Sequence, residues 1–169
     1  QEYEGALEGS ILAIEQRDAA EFEKILAEKQ AEKSAVESIP FLVRSIALEK
    51  MRGWFEGAAA LIKQAIYEDR PVLIRHNADC DGYSGAVALE RAILPLVMAE
   101  HSDNYAQWRY YRRAPSRAPY YAISDALIDL GNVANELSKG SKAPLVIILD
   151  NGSGAEDVPA IRAVQAYGC

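Results

Sequence analysis

The spacing of apolar residues divides the chain into a helical first part and a second part in which strands and helices alternate. Through residues 1 to about 35, apolar side chains recur every three or four positions among Ala, Glu and Lys, which predicts an amphipathic helix. A second, more apolar helix is expected to begin near Pro40, since proline suits a first helical turn, and to run to Tyr67. We interpret residues 1–68 as a helical amino-terminal extension in which the two helices form a hairpin.

Continuous apolar runs replace this spacing after Asp69. Residues 72–74 (VLI) and 145–149 (LVIIL) are typical of strands buried on both faces. Around these runs, the pattern predicts a further strand over 107–112 and helices over 84–100, 123–137 and 156–167. This alternation predicts an α/β fold for residues 69–169, with a largely parallel, open sheet and flanking helices.

The charge balance argues against broad electrostatic capture of nucleic acid, because the net charge is −7. One stretch departs from this acidic total: WRYYRRAPSRAPYY, residues 108–121, contains arginines and no acid. No apolar run is long enough to span a bilayer, the chain does not begin with a secretory signal, and its two cysteines form no disulfide framework. We therefore expect a reduced, cytoplasmic protein without a membrane segment.

Acidic residues follow both apolar strands, close to where each strand ends. Asp79 and Asp81 come after the first strand together with His76, and Asp150 directly follows the second. Ligands of open parallel sheets lie beyond the carboxyl ends of the strands. If residues 79–81 are extended, the side chains of the two aspartates project to the same side. Three carboxylates and an imidazole suit Mn²⁺ or Mg²⁺, which would offset the repulsion between like charges.

Each of these residues also has a structural interpretation. An Asp-x-Asp-Gly sequence can form a turn in which an aspartate caps a helix, and Asp150–Asn151–Gly152 is typical of a tight turn. His76 suits a hydrogen-bonded structural role. Strand-like alternation points Cys80 away from the neighbouring aspartates, which favours a packing role for its thiol.

With these residues in view, the chain resembles the DHH phosphoesterase superfamily, and within it the RecJ-type single-strand nucleases, including archaeal relatives. The second family motif is matched by LVIILDNGS at residues 145–153, in which Asp150 takes the position of a metal ligand. The segment RRAPSRAPYYAISDAL resembles the loop and helix that precede this strand, and the likeness covers about residues 70–169. The first motif is matched by His76, Asp79, Asp81, Gly82 and Ser84.

The Asp-His-His motif that gives the superfamily its name is absent from these residues, as are the fourth motif and the carboxyl-terminal substrate-binding domain. The resemblance therefore implies that residues 69–169 form a partial DHH-type domain, interrupted before the third motif. It also implies that the chain is the amino-terminal part of a longer enzyme. We expect weak metal binding and little turnover from residues 1–169 alone.

The resemblance implies metal-dependent phosphodiester hydrolysis, most directly by an exonuclease that acts on single-stranded DNA or RNA. His76, Asp79, Asp81 and Asp150 are then the catalytic residues and the ligands of Mn²⁺ or Mg²⁺, with His76 either a ligand or an orienting group. Tyr110 or Tyr111 offers a further ring for base stacking. The residues expected to bind the substrate are Ser84, Arg112, Arg113, Arg117 and Tyr120.

Two alternative functions stay open at this point. The same metal site suits hydrolysis of small phosphates, such as short oligonucleotides, cyclic dinucleotides or pyrophosphate. The other alternative is a non-catalytic replication scaffold of the same superfamily. In either case, the amino-terminal helices offer a surface for a replication or repair protein.

Overall fold

The computed structural model describes residues 16–101, 103–138 and 140–169, and it contains a parallel three-stranded sheet at its centre. The strands are β1 (Val72–His76), β2 (Tyr111–Pro115) and β3 (Leu145–Leu149), in the order β2-β1-β3. Val72 pairs with Tyr111 on one side and with Leu145 on the other, and both pairings are parallel. The predicted α/β fold with an open parallel sheet is confirmed.

Helices flank this sheet and precede it. Parallel neighbours require crossover connections, and the helices between the strands provide them. In chain order, the helices are α1 (Gln16–Ser34), α2 (Ile46–Tyr67), α3 (Cys80–Glu100), α4 (Ala106–Arg109), α5 (Ile123–Leu137) and α6 (Val158–Ala166). Among these described helices, none is both long enough and apolar enough to cross a membrane.

The two faces of the sheet pack against different helices. Strand alternation directs Val72 and Ile74 towards α2 and α3, where both are fully buried. This core is completed by Ala65, Ile66, Ala86, Ile93, Val97, Ala106 and Tyr111. The opposite face is covered by α5, α6 and the loop before α5, which together form a cluster of Tyr121, Ala126, Leu130, Ala160 and Val164. Burial of each Val or Ile side chain contributes about 1.5–3 kcal/mol, so both clusters stabilise the sheet that carries the loops.

The first two helices contact each other near their carboxyl ends, where the Gln30 side chain donates to the Tyr67 carbonyl at 2.8 Å. The second helix does not begin near Pro40 as predicted. Ser45 has extended backbone angles (φ −146°, ψ 130°) and precedes the first turn of α2. Residues 35–45 run along α2 instead, where Arg52 donates to the Ile39 carbonyl at 2.6 Å. The predicted helix over residues 1–15 lies outside the described residues, and the division at residue 68 stays a prediction.

Two predictions about the strands in the second half of the chain are wrong. Residues 107–109 belong to the short helix α4, and the strand begins only at Tyr111. The strand β3 is half-buried rather than fully buried, because it lies at an edge of the sheet formed by the described residues. In contrast, the bounds of α5 match the prediction, since its apolar spacing is that of a helix with one buried face.

Candidate metal centre

The loops that follow the three strands meet at the carboxyl edge of the sheet. The backbone N–H of Ser116, after β2, donates to the His76 carbonyl at 2.7 Å. The Asn151 amide, after β3, donates to the Ser116 hydroxyl at 3.1 Å. The backbone N–H of Asn77, after β1, donates to the Leu149 carbonyl at 3.4 Å. Hydrogen bonds therefore connect all three loops.

Three carboxylates converge at this edge. Asp79, Asp81 and Asp150 each offer a carboxylate oxygen, and these oxygens lie within 4.8 Å of one another. All three residues are exposed, so an ion could reach them from solvent. The structure brings together aspartates that are about seventy positions apart in the chain, as the positions of the two strand ends predicted.

The backbone conformation that brings Asp79 and Asp81 together differs from the prediction. Residues 79–81 are not extended, because α3 begins at Cys80, four residues earlier than expected. Asp79 is the N-cap residue and its side chain accepts from the Gly82 N–H at 3.1 Å, while Asp81 lies in the first turn. Cys80 is exposed, so the predicted packing role of its thiol is wrong.

Asp150 has the backbone conformation of a tight turn. Its φ of 61° lies in the left-handed region, which aspartate tolerates better than most residues. Gly152 follows with φ 92°, and a Cβ there would lie 2.7 Å from the Ile148 Cγ2. The backbone therefore bends at Asp150, directly after β3, where the carboxylate lies beside those of Asp79 and Asp81.

The pKa values of Asp79 and Asp150 are shifted in opposite directions. The hydrogen bond from the Gly82 N–H holds the pKa of the Asp79 carboxyl below its usual value. Desolvation, together with the negative charges of Asp81 and Asp79, raises the pKa of Asp150. A cation placed between the three carboxylates would offset this repulsion.

His76 is the last residue of β1, at the same edge of the sheet, and is fully buried. Its Nδ1 is 2.6 Å from the Asn77 carbonyl oxygen, which can only accept, so Nδ1 carries the proton and donates. In this tautomer Nε2 keeps its lone pair, and it is buried without a hydrogen-bond partner among the described residues. The ring packs edge-on against Tyr83, with centroids 4.7 Å apart. An orphaned imidazole nitrogen of this kind fits a metal ligand, although His76 lies outside the group of three carboxylates.

Gly82 allows this local geometry, because its missing side chain leaves room for the Asn77 carbonyl. A Cβ at Gly82 would overlap the carbonyl oxygen of Asn77 and lie 3.0 Å from its carbonyl carbon. That same carbonyl accepts from His76, while the Asn77 side chain donates to Asp79 at 2.6 Å. The glycine is therefore required by backbone that positions both the imidazole and a carboxylate.

We expect Gly82→Ala to destabilise the protein by about 1–3 kcal/mol, the usual effect of overpacking where backbone must shift. Gly57→Ala is the matched control: its Cβ would have no neighbour within 4 Å, and alanine favours a helix by about 0.5–1 kcal/mol. Urea denaturation measures both. The explanation is contradicted if the two variants change stability in the same direction.

The residues predicted to bind substrate are distributed over several places. Arg113 forms an ion pair with Glu90 at 2.8 Å, and Tyr111 is buried and donates to the same carboxylate at 3.2 Å. Tyr110 stacks face to face on His101, with ring centroids 3.7 Å apart. Two of the candidate rings for base stacking are thus already packed against other groups.

The remaining candidates are exposed. Arg117, in the loop after β2, has a side chain that is 71% exposed, and Tyr120 in the same loop is 39% exposed. Ser84 is exposed in α3, where its hydroxyl donates to the Cys80 carbonyl. Arg112 lies near the start of β2, in register with Leu73, and so towards the opposite edge of the sheet from the carboxylates.

A buried polar network beneath the site was missed by the sequence analysis. Arg75, adjacent to His76 in β1, is buried and forms an ion pair with buried Asp129 of α5. Tyr121 donates its hydroxyl to Asp129 at 3.0 Å, and its backbone N–H donates to buried Asp157 at 2.6 Å. Asp157 also accepts from the Gly154 N–H at 2.8 Å. The network links the central strand to the loops after β2 and β3.

A signal for this network exists in the sequence. An arginine within an otherwise apolar central strand must be paired when it is buried, and α5 carries aspartates at positions 125 and 129, one helical turn apart. The Arg75 side chain lies 3.9 Å from the Asp125 carboxylate, and the backbone N–H of Arg117 donates to that carboxylate at 3.1 Å.

Comparison with known proteins identifies chains that are similar to this one in sequence and in fold. No family model matches the chain. Uncharacterized protein MJ1198 of Methanocaldococcus jannaschii is 41% identical over 157 residues, which is 92% of this chain and 21% of that protein. The DHH domain of PF0399, a member of a family of ribosomal proteins, superposes with a TM-score of 0.88 at 39% identity. The superposition covers 91% of this chain and 35% of the other. The chain therefore shares its fold and much of its sequence with a DHH domain, which supports the resemblance to the DHH superfamily.

Proposed function

We propose that the protein containing this chain hydrolyses phosphodiesters in a metal-dependent reaction, as a RecJ-like exonuclease of single-stranded nucleic acid. The observation that carries the proposal is the convergence of Asp79, Asp81 and Asp150 within 4.8 Å at the carboxyl edge of a DHH-like sheet. Like charges at this separation are explained if a divalent cation lies between them. The chain spans 21% of the length of one relative and 35% of the solved chain, so we propose the activity for the whole protein that contains these residues.

The donor set fits Mn²⁺ or Mg²⁺. Asp79, Asp81 and Asp150 would hold the ion through hard carboxylate oxygens, and the orphaned Nε2 of buried His76 would add a borderline ligand. A cation held by these residues would neutralise charge on a phosphoryl group and would lower the pKa of a bound water molecule. The protein's own part is to hold these ligands in place through the hydrogen bonds of Asn77 and Gly82.

The proposed substrate is supported by the side chains around the site. Arg117 and Tyr120 are exposed on the loop after β2, and a hydrogen bond from Asn151 to Ser116 ties this loop to the residue after Asp150. A guanidinium suits a backbone phosphate and a phenol ring suits a nucleobase, which together are the groups that grip single strands. Ser84, in the first two turns of α3, offers a hydroxyl close to the carboxylates in sequence.

The test is hydrolysis of end-labelled single strands of graded length by the full-length protein, with Mn²⁺ or with EDTA. An exonuclease shortens long strands stepwise from one end, and only when the metal is present. Cleavage confined to dinucleotides, cyclic dinucleotides or pyrophosphate would replace the nuclease with the small-phosphate alternative. Product ladders that are unaffected by EDTA would contradict the metal centre itself.

A second candidate function, docking of a replication or repair protein, is favoured by the surface of α2 and the residues before it. Trp54 and Ile46 are each 80% exposed, and Leu42 is fully exposed. Large apolar side chains with this degree of exposure, in one short part of the chain, favour an interaction surface. This role is compatible with hydrolysis, and we propose it as an additional property of the same protein.

A further inference from the structure

A cavity of about 530 Å³ opens at the amino edge of the sheet, away from the carboxylates. Its floor includes Val72 and Leu73 at the start of β1, whereas His76 ends the same strand at the metal centre. His76 is four positions after Val72 in the strand, or about 13 Å away at roughly 3.3 Å per residue. The cavity is therefore distinct from the proposed catalytic site. Its other walls come from α4, β2, α5 and residues 142–144.

The charged groups at this cavity are mainly cationic. Arg109, Arg112 and Lys142 line it, and all three are exposed. None of them has a carboxylate within ion-pair distance among the described residues. The acid in the lining is Asp129, which is buried and already paired with Arg75. The cavity thus offers unpaired positive charge on a protein whose net charge is −7, and this favours an anionic ligand.

Aromatic and amide groups accompany these cations. Trp108 and Tyr105 line the cavity with side chains that are 77% and 72% exposed. Exposed rings of this size provide flat surfaces on which a nucleobase can stack. Asn135 of α5 adds a side-chain amide that can pair with the edge of a base. Asn132 lines the cavity too, and its amide nitrogen already donates to the Ile128 carbonyl at 2.8 Å, which leaves its side-chain oxygen as an acceptor. A volume of about 530 Å³ lies within the roughly 300–1,000 Å³ of small-molecule sites.

We propose that this cavity binds a nucleotide unit, with the base stacked on Trp108 or Tyr105 and the phosphate held by Arg109, Arg112 and Lys142. The combination of unpaired cations, exposed rings and side-chain amides fits a nucleoside monophosphate better than a simple anion or an acidic peptide. The unit is either a free mononucleotide or one residue of a single strand. Binding at this cavity is independent of hydrolysis and of the metal centre.

Tryptophan fluorescence tests the proposal directly, because the chain contains only Trp54 and Trp108. In a Trp54→Phe background and in EDTA, we expect saturable quenching of Trp108 on titration with adenosine monophosphate. Arg112→Ala should weaken this binding about tenfold, the usual result of removing a charged hydrogen-bond donor. Lys50→Ala removes an exposed charge on α2 and should leave the binding unchanged.

Further titrations distinguish a free mononucleotide from a nucleic-acid strand, and a nucleotide from other anionic ligands. A ten-residue oligodeoxyadenylate that binds much more tightly than the monophosphate would identify a nucleic-acid strand, whereas equal affinities would identify the free nucleotide. Inorganic phosphate or a glutamate-rich peptide that binds as tightly as the monophosphate would overturn the proposal. Equal weakening by Lys50→Ala and Arg112→Ala would also overturn it, as would an absence of saturable quenching by both nucleotide probes.

Discussion

Asp81→Asn is expected to lower metal-dependent hydrolysis by the full-length protein at least about 100-fold. The substitution keeps the shape of the side chain and removes one of three carboxylates within 4.8 Å. A metal ion contributes several kcal/mol of charge stabilisation in the transition state, and each 1.36 kcal/mol corresponds to a factor of ten in rate. Loss of a ligand should also exceed the roughly 10–100-fold loss of metal affinity that follows removal of a ligand's hydrogen-bonding partner.

Cleavage of a labelled single strand and calorimetric titration with Mn²⁺ measure the two effects in the same variant. Asp103→Asn is the matched control, because Asp103 is exposed and remote in sequence, and asparagine can still accept from the Tyr105 N–H. We expect this control to retain both activity and metal affinity. Full hydrolysis by Asp81→Asn would remove Asp81 from the proposed site. Loss of hydrolysis with unchanged Mn²⁺ affinity would place its role elsewhere than in metal binding.

Arg75→Met is expected to destabilise the protein by about 3–5 kcal/mol, the usual effect of leaving one partner of a buried ion pair without its counter-charge. Both Arg75 and Asp129 are buried, and the arginine also donates to the Pro115 carbonyl at 2.9 Å. Met preserves most of the apolar length of the side chain, so the loss reports the charge rather than the packing. Denaturation in urea gives the change in the free energy of unfolding.

Two further variants make this prediction specific. Lys29 and Glu32 form an ion pair at 2.7 Å, but their side chains are 70% and 72% exposed, so Lys29→Met should change stability by less than about 1 kcal/mol. Adding Asp129→Asn to Arg75→Met should recover part of the loss, because the amide is neutral and still accepts from Tyr121. A change below about 1 kcal/mol in Arg75→Met, or no recovery in the double variant, would contradict a stabilising buried pair.

The strands and the edge that carries the carboxylates could be predicted because their signals are local. Continuous apolar runs at 72–74 and 145–149 mark strands, and a parallel sheet brings the ends of its strands to one edge. The early start of α3 could not be predicted in the same way. Asp79 can be a turn residue, a strand residue or a helix cap, and the hydrogen bond from Gly82 decides among them. The position of Arg112 could not be predicted either. The sequence shows that this residue is charged, but only the strand pairing shows that it lies towards the edge of the sheet opposite the carboxylates.

The amino-acid sequence by itself determined which residues are candidates for the chemistry, since the order of apolar and acidic positions places His76, Asp79, Asp81 and Asp150 at or just beyond the ends of two strands. The tertiary structure alone decided how these groups are held. It made Asp79 a helix cap and buried Arg75 beside Asp129. It also buried His76 with an Nε2 that has no hydrogen-bond partner in the part of the chain that the structure describes. The physical reason is that periodicity and burial preference act over a few neighbouring residues. Hydrogen-bond partners and ion pairs, in contrast, form between segments that meet only when the sheet and its helices pack.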